Sequence, residues 1–444
     1  KDYLEESKIS ELLNKYNKFM PHPIKFGTKE ETIPGKEGEK EEKVTIDNII
    51  NNPNPAWTKP PADLKDEDYK QFYRELYPYQ FDEPLFHIHL NVDYPFNLTG
   101  ILYFPKISND LNLQKDRIQL YQNQVFVTDN VEGIVPEFLG LLKGVIDSPD
   151  IPLNVSRSYL QSDASVKKIT NYITRKVADK LNSIFKNERE NLESKWNDIK
   201  VVIEYGMLTE DKFYDKAESF NLYPTVDDKY FTYEELEKKI KKLQTDKDGN
   251  LIILYAQNKD EQYTYIESAK EKGYEVLLLD SPIIPHLMQK LESKKEKIKF
   301  SRVDSDTLEN LIKKDEEVIS KLTDEEKEKL KPMIETAVEN EKYTVQLEAL
   351  DSNSMPFMLA QPEFMRRMKE MQQTGGGAMG NLPDMYSLIV NTNHELVDKI
   401  LNTRTEKKRS SLIKQSIDLA KLSQNNLTGK DLTEFINRSI DLIK

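Results

Sequence analysis

Two short apolar runs constrain this chain most. Residues 251–255 read Leu-Ile-Ile-Leu-Tyr and residues 275–279 read Glu-Val-Leu-Leu-Leu, with a helical pattern from Glu261 to Lys272 and Gly273 between them. Strands apolar on both faces must be covered on both faces, as parallel strands under helices are. Strand, helix and strand in this order make a parallel, right-handed crossover. At least one part of the chain is therefore expected to be an α/β layer. Such layers often hold nucleotides at their strand ends, but the Gly-rich turn is absent, so no ligand site is expected here.

At 444 residues the chain exceeds a single core, and two to four domains are expected. Residues 1–200 mix strands and helices. The runs 85–104 and 118–128 alternate apolar and polar positions, as a half-buried antiparallel sheet does. Val166, Ile169, Ile173, Val177, Leu181 and Ile184 recur at three- and four-residue steps. That is a long amphipathic helix, expected to pack across the sheet. Residues 201–312 form a small α/β unit around the two apolar runs. Residues 313–331 are strongly charged and precede Pro332, a pattern predicting a helical connector. Residues 332–444 make a last domain. Gly35 to Lys43 reads as a charged loop insertion.

The formal charge of −13 disfavours a nucleic-acid binder, which carries a basic face. It suits contact with basic, partly unfolded chains. No cysteine is present, which excludes disulfides and thiolate metal sites. The apolar runs are too short to span a bilayer, so no membrane partner is expected. His87 and His89 alternate on one strand without a third ligand at suitable spacing, so no metal site is expected. Acidic pairs are too abundant for any one to stand out as a general acid and base.

Residues 149–161, Pro-Asp-Ile-Pro-Leu-Asn-Val-Ser-Arg-Ser-Tyr-Leu-Gln, carry the sharpest chemistry. Ser156 or Ser158 can cap a helix on which Arg157 and Gln161 share a face. An arginine at a helix mouth clamps phosphate through its planar fork of donors. The plainer reading is a surface ion pair with a carboxylate. A second feature is a methionine cluster at Met355, Met358, Met365, Met368, Met371, Met379 and Met385, followed in part by Gly375-Gly376-Gly377. Phe364, Met365, Met368 and Met371 form one helical stripe. Methionine adapts to irregular apolar partners, so the stripe fits either promiscuous binding or ordinary core packing. Near the end, Leu412, Ile413, Ile417 and Ala420 form one stripe, and Leu432, Phe435, Ile436, Ile440 and Ile443 another. They either fold back on their own domain or complete a four-helix bundle with a second copy.

These segments, in order, resemble the Hsp90 family of dimeric ATP-driven chaperones, and its bacterial branch above all. The resemblance rests on Lys8-Ile9-Ser10-Glu11-Leu12-Leu13, on Pro55-Ala56-Trp57-Thr58-Lys59-Pro60 with Tyr69, Phe72 and Tyr73, and on Gly100-Ile101-Leu102-Tyr103-Phe104-Pro105. It continues through Val125-Phe126-Val127-Thr128-Asp129, Lys143-Gly144-Val145-Ile146-Asp147-Ser148 and the 149–161 segment, and is weaker beyond about residue 210. Phe213 to Thr232 matches poorly.

The resemblance implies a middle domain of αβα layers, of the ribosomal protein S5 domain 2-like kind. A small α/β subdomain and an α+β C-terminal dimerisation domain ending in a helical bundle follow. It implies that Arg157 reaches the γ-phosphate of ATP, that Gln161 orients the same loop, and that Phe126 packs against a docked N-terminal domain. ATP and Mg belong to that N-terminal domain in the full-length protein. No Walker-type loop is visible in this chain, which starts at Lys1 inside an amphipathic pattern, so the chain alone is expected to lack a cofactor and ATPase activity. Trp57, Phe364, Met365, Met368 and Met371 are the implied client-binding residues, with Trp57 either on the surface as a client or conformational sensor or buried as ordinary packing. The two terminal stripes are the implied homodimer contact, and His394 the start of a helix. The cytoplasm is the implied compartment. Two alternatives stand beside this reading: the transducer domain of a gyrase-type or mismatch-repair ATPase, and a passive dimeric scaffold.

Overall fold

A computed structural model describes residues 5–33, 42–106, 118–131, 133–152, 164–315, 318–338, 342–375 and 385–443. The chain divides into two compact units, Lys1–Phe220 and Asn221–Lys444. Both mix helices and sheets.

The first unit opens with helix α1 (Glu6–Tyr16) and an antiparallel hairpin of β1 (Lys25–Ile33) and β2 (Glu42–Ile49). Its main sheet has five strands: β3 (Phe86–Val92), β4 (Leu98–Phe104), β5 (Gln119–Gln122), β6 (Val125–Thr128) and β7 (Lys143–Asp147). Their order is β3-β4-β7-β5-β6, antiparallel except where β5 runs parallel to β7. Helix α2 (Asp66–Leu76) buries Tyr69, Phe72, Tyr73 and Leu76 in a core shared with Ile101, Tyr103 and Val145. Helix α3 (Ala164–Asn187) buries Val166, Ile169, Ile173, Val177, Leu181 and Ile184, the stripe read from the sequence, and packs on β3. Helices α4 (Arg189–Ser194), α5 (Trp196–Thr209) and α6 (Asp211–Ala217) complete the layer.

Strands β4 and β7 approach unusually closely at two glycines. A Cβ on Gly144, whose φ is +125°, would lie 2.0 Å from the Ile101 carbonyl oxygen, and one on Gly100 2.4 Å from that of Val145. No side chain fits between the two backbones there.

The second unit begins with a two-stranded ribbon, β8 (Tyr223–Pro224) and β9 (Tyr230–Phe231), and helix α7 (Tyr233–Gln244). The apolar runs then form β10 (Leu251–Ala256) and β11 (Val276–Leu278), parallel and joined by α8 (Tyr263–Glu271). A third parallel strand, β12 (Ile298–Arg302), follows α9 (Ile284–Lys294) and gives the order β11-β10-β12. Short helix α10 (Leu308–Leu311) ends this layer.

The charged stretch before Pro332 is helical only in part. Helix α11 (Asp324–Glu335) starts where Thr323 and Glu326 cap each other's backbone, and it runs through Pro332. Its Leu330 and Ile334 are buried in a core with β13 (Tyr343–Glu348), β14 (Phe357–Ala360) and β15 (Tyr386–Asn391). The helix therefore belongs to the last core, rather than being a free connector over 313–331. Sheet order is β13-β15-β14, with β13 parallel and β14 antiparallel to β15. Helices α12 (Glu363–Gly375), α13 (Glu395–Asn402), α14 (Glu406–Ser423) and α15 (Gly429–Ile443) complete the unit. His394 caps α13 as expected, its Nδ1 accepting from the Leu396 N–H at 3.0 Å.

Candidate functional site

Arg157 and Gln161 lie outside the described residues, but both flanks of their segment are well defined. Ahead of it, Asp147 at the end of β7 is buried and joins three elements. Its carboxylate accepts from Trp57 Nε1 at 3.2 Å and from the backbone N–H groups of Asn123 and Gln124, each at 2.8 Å. Those two residues have φ of 51° and 66° and form the two-residue turn between β5 and β6. Burial pushes the Asp147 carboxyl up, and the three donors offset this only in part. The next residues are tied down as well. Ser148 Oγ donates to the Asn97 carbonyl at 2.6 Å, Asp150 accepts from the Asn97 N–H at 2.7 Å, and Gln122 donates to the Pro149 carbonyl at 3.0 Å. Beyond the segment, α3 is anchored by Val166 at 1% exposure.

Trp57 takes the buried one of its two readings. It is fully buried, packed edge-on against Phe19 at 4.7 Å between ring centres and tilted against Phe72 and Tyr121. Its indole N–H is satisfied inside by Asp147, so the ring has both apolar cover and a polar partner and no reason to face solvent. It is not a surface contact for clients. Phe126, on β6, is half-buried and packs edge-on against Tyr16 and Tyr121.

His87 and His89 have a structural setting. Tyr69 stacks on His87 at 3.7 Å, and its hydroxyl is 2.9 Å from His89 Nδ1. Desolvation, helped by Lys180, pulls the His87 imidazole down to about 4, so it is neutral near pH 7. Among the described residues no cluster of three metal-ligating side chains occurs.

The methionine helix α12 packs with its charged side inward. Arg366 is 3% exposed and Phe364 71%. Met365, Met368 and Met371 are half-buried. Arg366 reaches the Tyr255 hydroxyl, Glu363 at 2.6 Å and Glu370 at 2.5 Å. Arg367 reaches Glu363 at 2.7 Å, Glu292 at 2.8 Å and the Phe300 carbonyl at 2.6 Å. Glu363 also accepts from the Tyr255 hydroxyl at 2.7 Å and the Arg302 N–H at 3.1 Å. Burial would raise the Glu363 carboxyl, but attraction to Arg366 and Arg367 outweighs it and holds it at about 2. In the sequence Arg366 and Arg367 merely interrupt the methionine stripe. The signal present was the spacing Glu363, Arg366, Arg367, Glu370, which brings both arginines within reach of a carboxylate on one helix.

The family model for Hsp90 protein matches residues 28–438. The chain belongs to the Hsp90 family. It is similar to chaperone protein HtpG of Bacteroides thetaiotaomicron, 48% identical over an alignment of 512 residues that takes in all of this chain and 74% of that protein. HtpG of Porphyromonas gingivalis is 52% identical over 426 residues, 95% of this chain and 62% of that protein. HtpG of Clostridium perfringens is 28% identical over all of this chain and 71% of that protein. Among the described residues no helix is long and apolar enough to cross a membrane.

Within this Hsp90-family chain the two terminal stripes have different surroundings. Ile413, Ile417 and Ala420 on α14 are buried in the chain's own core with Tyr343, Val345 and Leu388, and half-buried Leu412 packs against it. They cover the sheet of the last core and are not available to a partner, which corrects the expected dimer contact. Phe435 on α15 is also buried, at 9% exposure, and Leu432 is half-buried. Ile436 and Ile440 are exposed, as are Leu419 and Leu422 on α14, which the stripe reading left out. The side chain of Ile443 lies outside the described residues.

Proposed function

We propose that this chain works as the client-holding and dimer-forming part of an ATP-dependent Hsp90-type chaperone in the cytoplasm. One observation carries the client reading: α12 is anchored by its arginines and leaves Phe364 exposed and Met365, Met368 and Met371 half-buried. An apolar, adaptable surface held in place by polar anchors suits weak contact with many non-native chains. The exposed Leu419, Leu422, Ile436 and Ile440 supply an apolar face for a second copy.

Arg157 and Gln161 are proposed to meet the γ-phosphate of ATP and Mg held by a nucleotide-binding domain of the full-length protein. An arginine there neutralises charge on the transferring phosphoryl group. Phe126, beside the Asp147 junction, is proposed to pack against that domain. The test of the client reading is suppression of thermal aggregation of an unfolded probe protein by this chain. No suppression at a twofold excess of chain would reject it. Calorimetry of this chain alone with ATP is expected to show no micromolar binding.

A further inference from the structure

Strand β12 is an edge of its sheet, because the order is β11-β10-β12. Its inward backbone groups bond to β10: the Lys297 carbonyl accepts from the Leu251 N–H at 2.7 Å, and the Val303 N–H donates to the Tyr255 carbonyl at 2.9 Å. Phe300 and Arg302 therefore turn their backbone groups outward, where a further strand would pair. Side chains meet these groups instead. The Phe300 N–H donates to Glu292 at 2.7 Å, the Phe300 carbonyl accepts from Arg367 at 2.6 Å, and the Arg302 N–H donates to Glu363 at 3.1 Å.

Two of these three caps come from α12. That helix is held there by polar contacts, since none of Phe364, Met365, Met368 and Met371 is buried. Its departure would exchange ion pairs and hydrogen bonds for others and would expose no fully buried apolar side chain of the helix itself. What it would uncover is an acceptor at Phe300 and a donor at Arg302, while the Phe300 N–H stays with Glu292 of α9. One residue of an extended backbone presents the complementary N–H and C=O together.

We propose that α12 is a lid on the outer edge of β12, and that the uncovered edge at Ile298–Arg302 takes one extended segment of a non-native polypeptide as a further strand. The choice of ligand rests on the chaperone reading above. The edge itself is distinct from the half-buried methionine face. An extended segment brings backbone groups in any sequence, so this edge selects unfolded conformation and not side-chain identity.

The test uses a fluorescent twelve-residue peptide of alternating valine and threonine, and the same peptide N-methylated at alternate residues. The lid is weakened by Glu363→Gln with Arg367→Gln. Arg367→Gln alone, which removes one cap, is read in the same way if the pair fails to fold. The unmodified peptide should bind the variant at least about tenfold more tightly than the parent. It should slow hydrogen exchange at the Arg302 amide, and the N-methylated peptide should do neither. Equal binding to parent and variant, or equal binding of the N-methylated peptide, would overturn the proposal. So would self-association of the variant without peptide, which would give the edge to a second copy. Replacing Met365 and Met368 with serine should leave this exchange response unchanged. Loss of aggregation suppression in that variant bears on the client face alone, so the two readings fail separately.

Discussion

Phe364 and Arg366 stand two residues apart on one helix and have exchanged the places their chemistry would ordinarily assign: the phenylalanine is 71% exposed and the arginine 3%. The reason is local. Arg366 lies between Glu363 and Glu370 and against the Tyr255 hydroxyl, so its charge is matched on several sides. Phe364 has no such inward partner and remains in solvent.

The Met365→Ser, Met368→Ser double variant should therefore keep nearly the parent melting temperature. Truncating a fully buried methionine costs about 2–5 kcal/mol, and half-buried ones lose much less. Suppression of client aggregation should fall clearly. A melting temperature lowered by many degrees would place these side chains in a core.

The Glu363 carboxyl gives a pH signature. Held at about 2 in the folded chain, against roughly 4.3 unfolded, it contributes stability that is complete above about pH 5. That contribution is on the order of 2–3 kcal/mol at neutral pH. It is about half lost near pH 3 and nearly gone near pH 2. Glu363→Gln should thus be less stable than the parent in urea titrations at pH 7, with the gap closing as pH falls. A gap independent of pH would remove the carboxylate from the ion-pair cluster.

Asp147→Asn should destabilise the first unit by about 1–3 kcal/mol, because an amide oxygen cannot serve all three donors and its NH2 faces one of them. In a Trp196→Phe background, Trp57 emission should shift, since the indole loses its charged partner. An unchanged spectrum would show that the carboxylate does not hold the ring.

Assembly should respond to exposed positions only. Ile436→Glu with Ile440→Glu should yield monomers by light scattering with helix content retained. Ile417→Ala should lower stability by about 2–5 kcal/mol, as buried large-to-small changes do, without altering oligomeric state.

In the full-length protein, Arg157→Ala should slow ATP hydrolysis at least about tenfold while ATP affinity falls far less. Equal single-turnover rates for variant and parent would remove Arg157 from the chemistry.

Elements with one uniform face were legible in the sequence. The 24-residue α3 shows its buried stripe because every inward position is apolar or small. The pair β10 and β11 shows because both strands are covered on both faces. Strand β12 was missed: Ile-Lys-Phe-Ser-Arg alternates polar and apolar residues and reads as weakly half-buried, although Ser301 is buried. The burial of Trp57 was not legible either, since its partner Asp147 lies 90 residues away. For α12 the stripe was found, but the burial of the opposite, arginine-bearing side depends also on Tyr255 and Glu292, on distant elements. The same holds for α14, where an apolar stripe alone does not say which surface covers it.

The contact of Gly100 and Gly144 bears on how the chain tolerates change. The spacing between β4 and β7 is set by backbone touching backbone, not by the bulk of any side chain. The point from which the 149–161 segment departs is thus insulated from the volume of its neighbours. Core substitutions around Ile101 or Val145 can weaken this unit while leaving that point of departure where it was. A methyl group added at residue 144 does the reverse: it changes composition least and displaces the segment most.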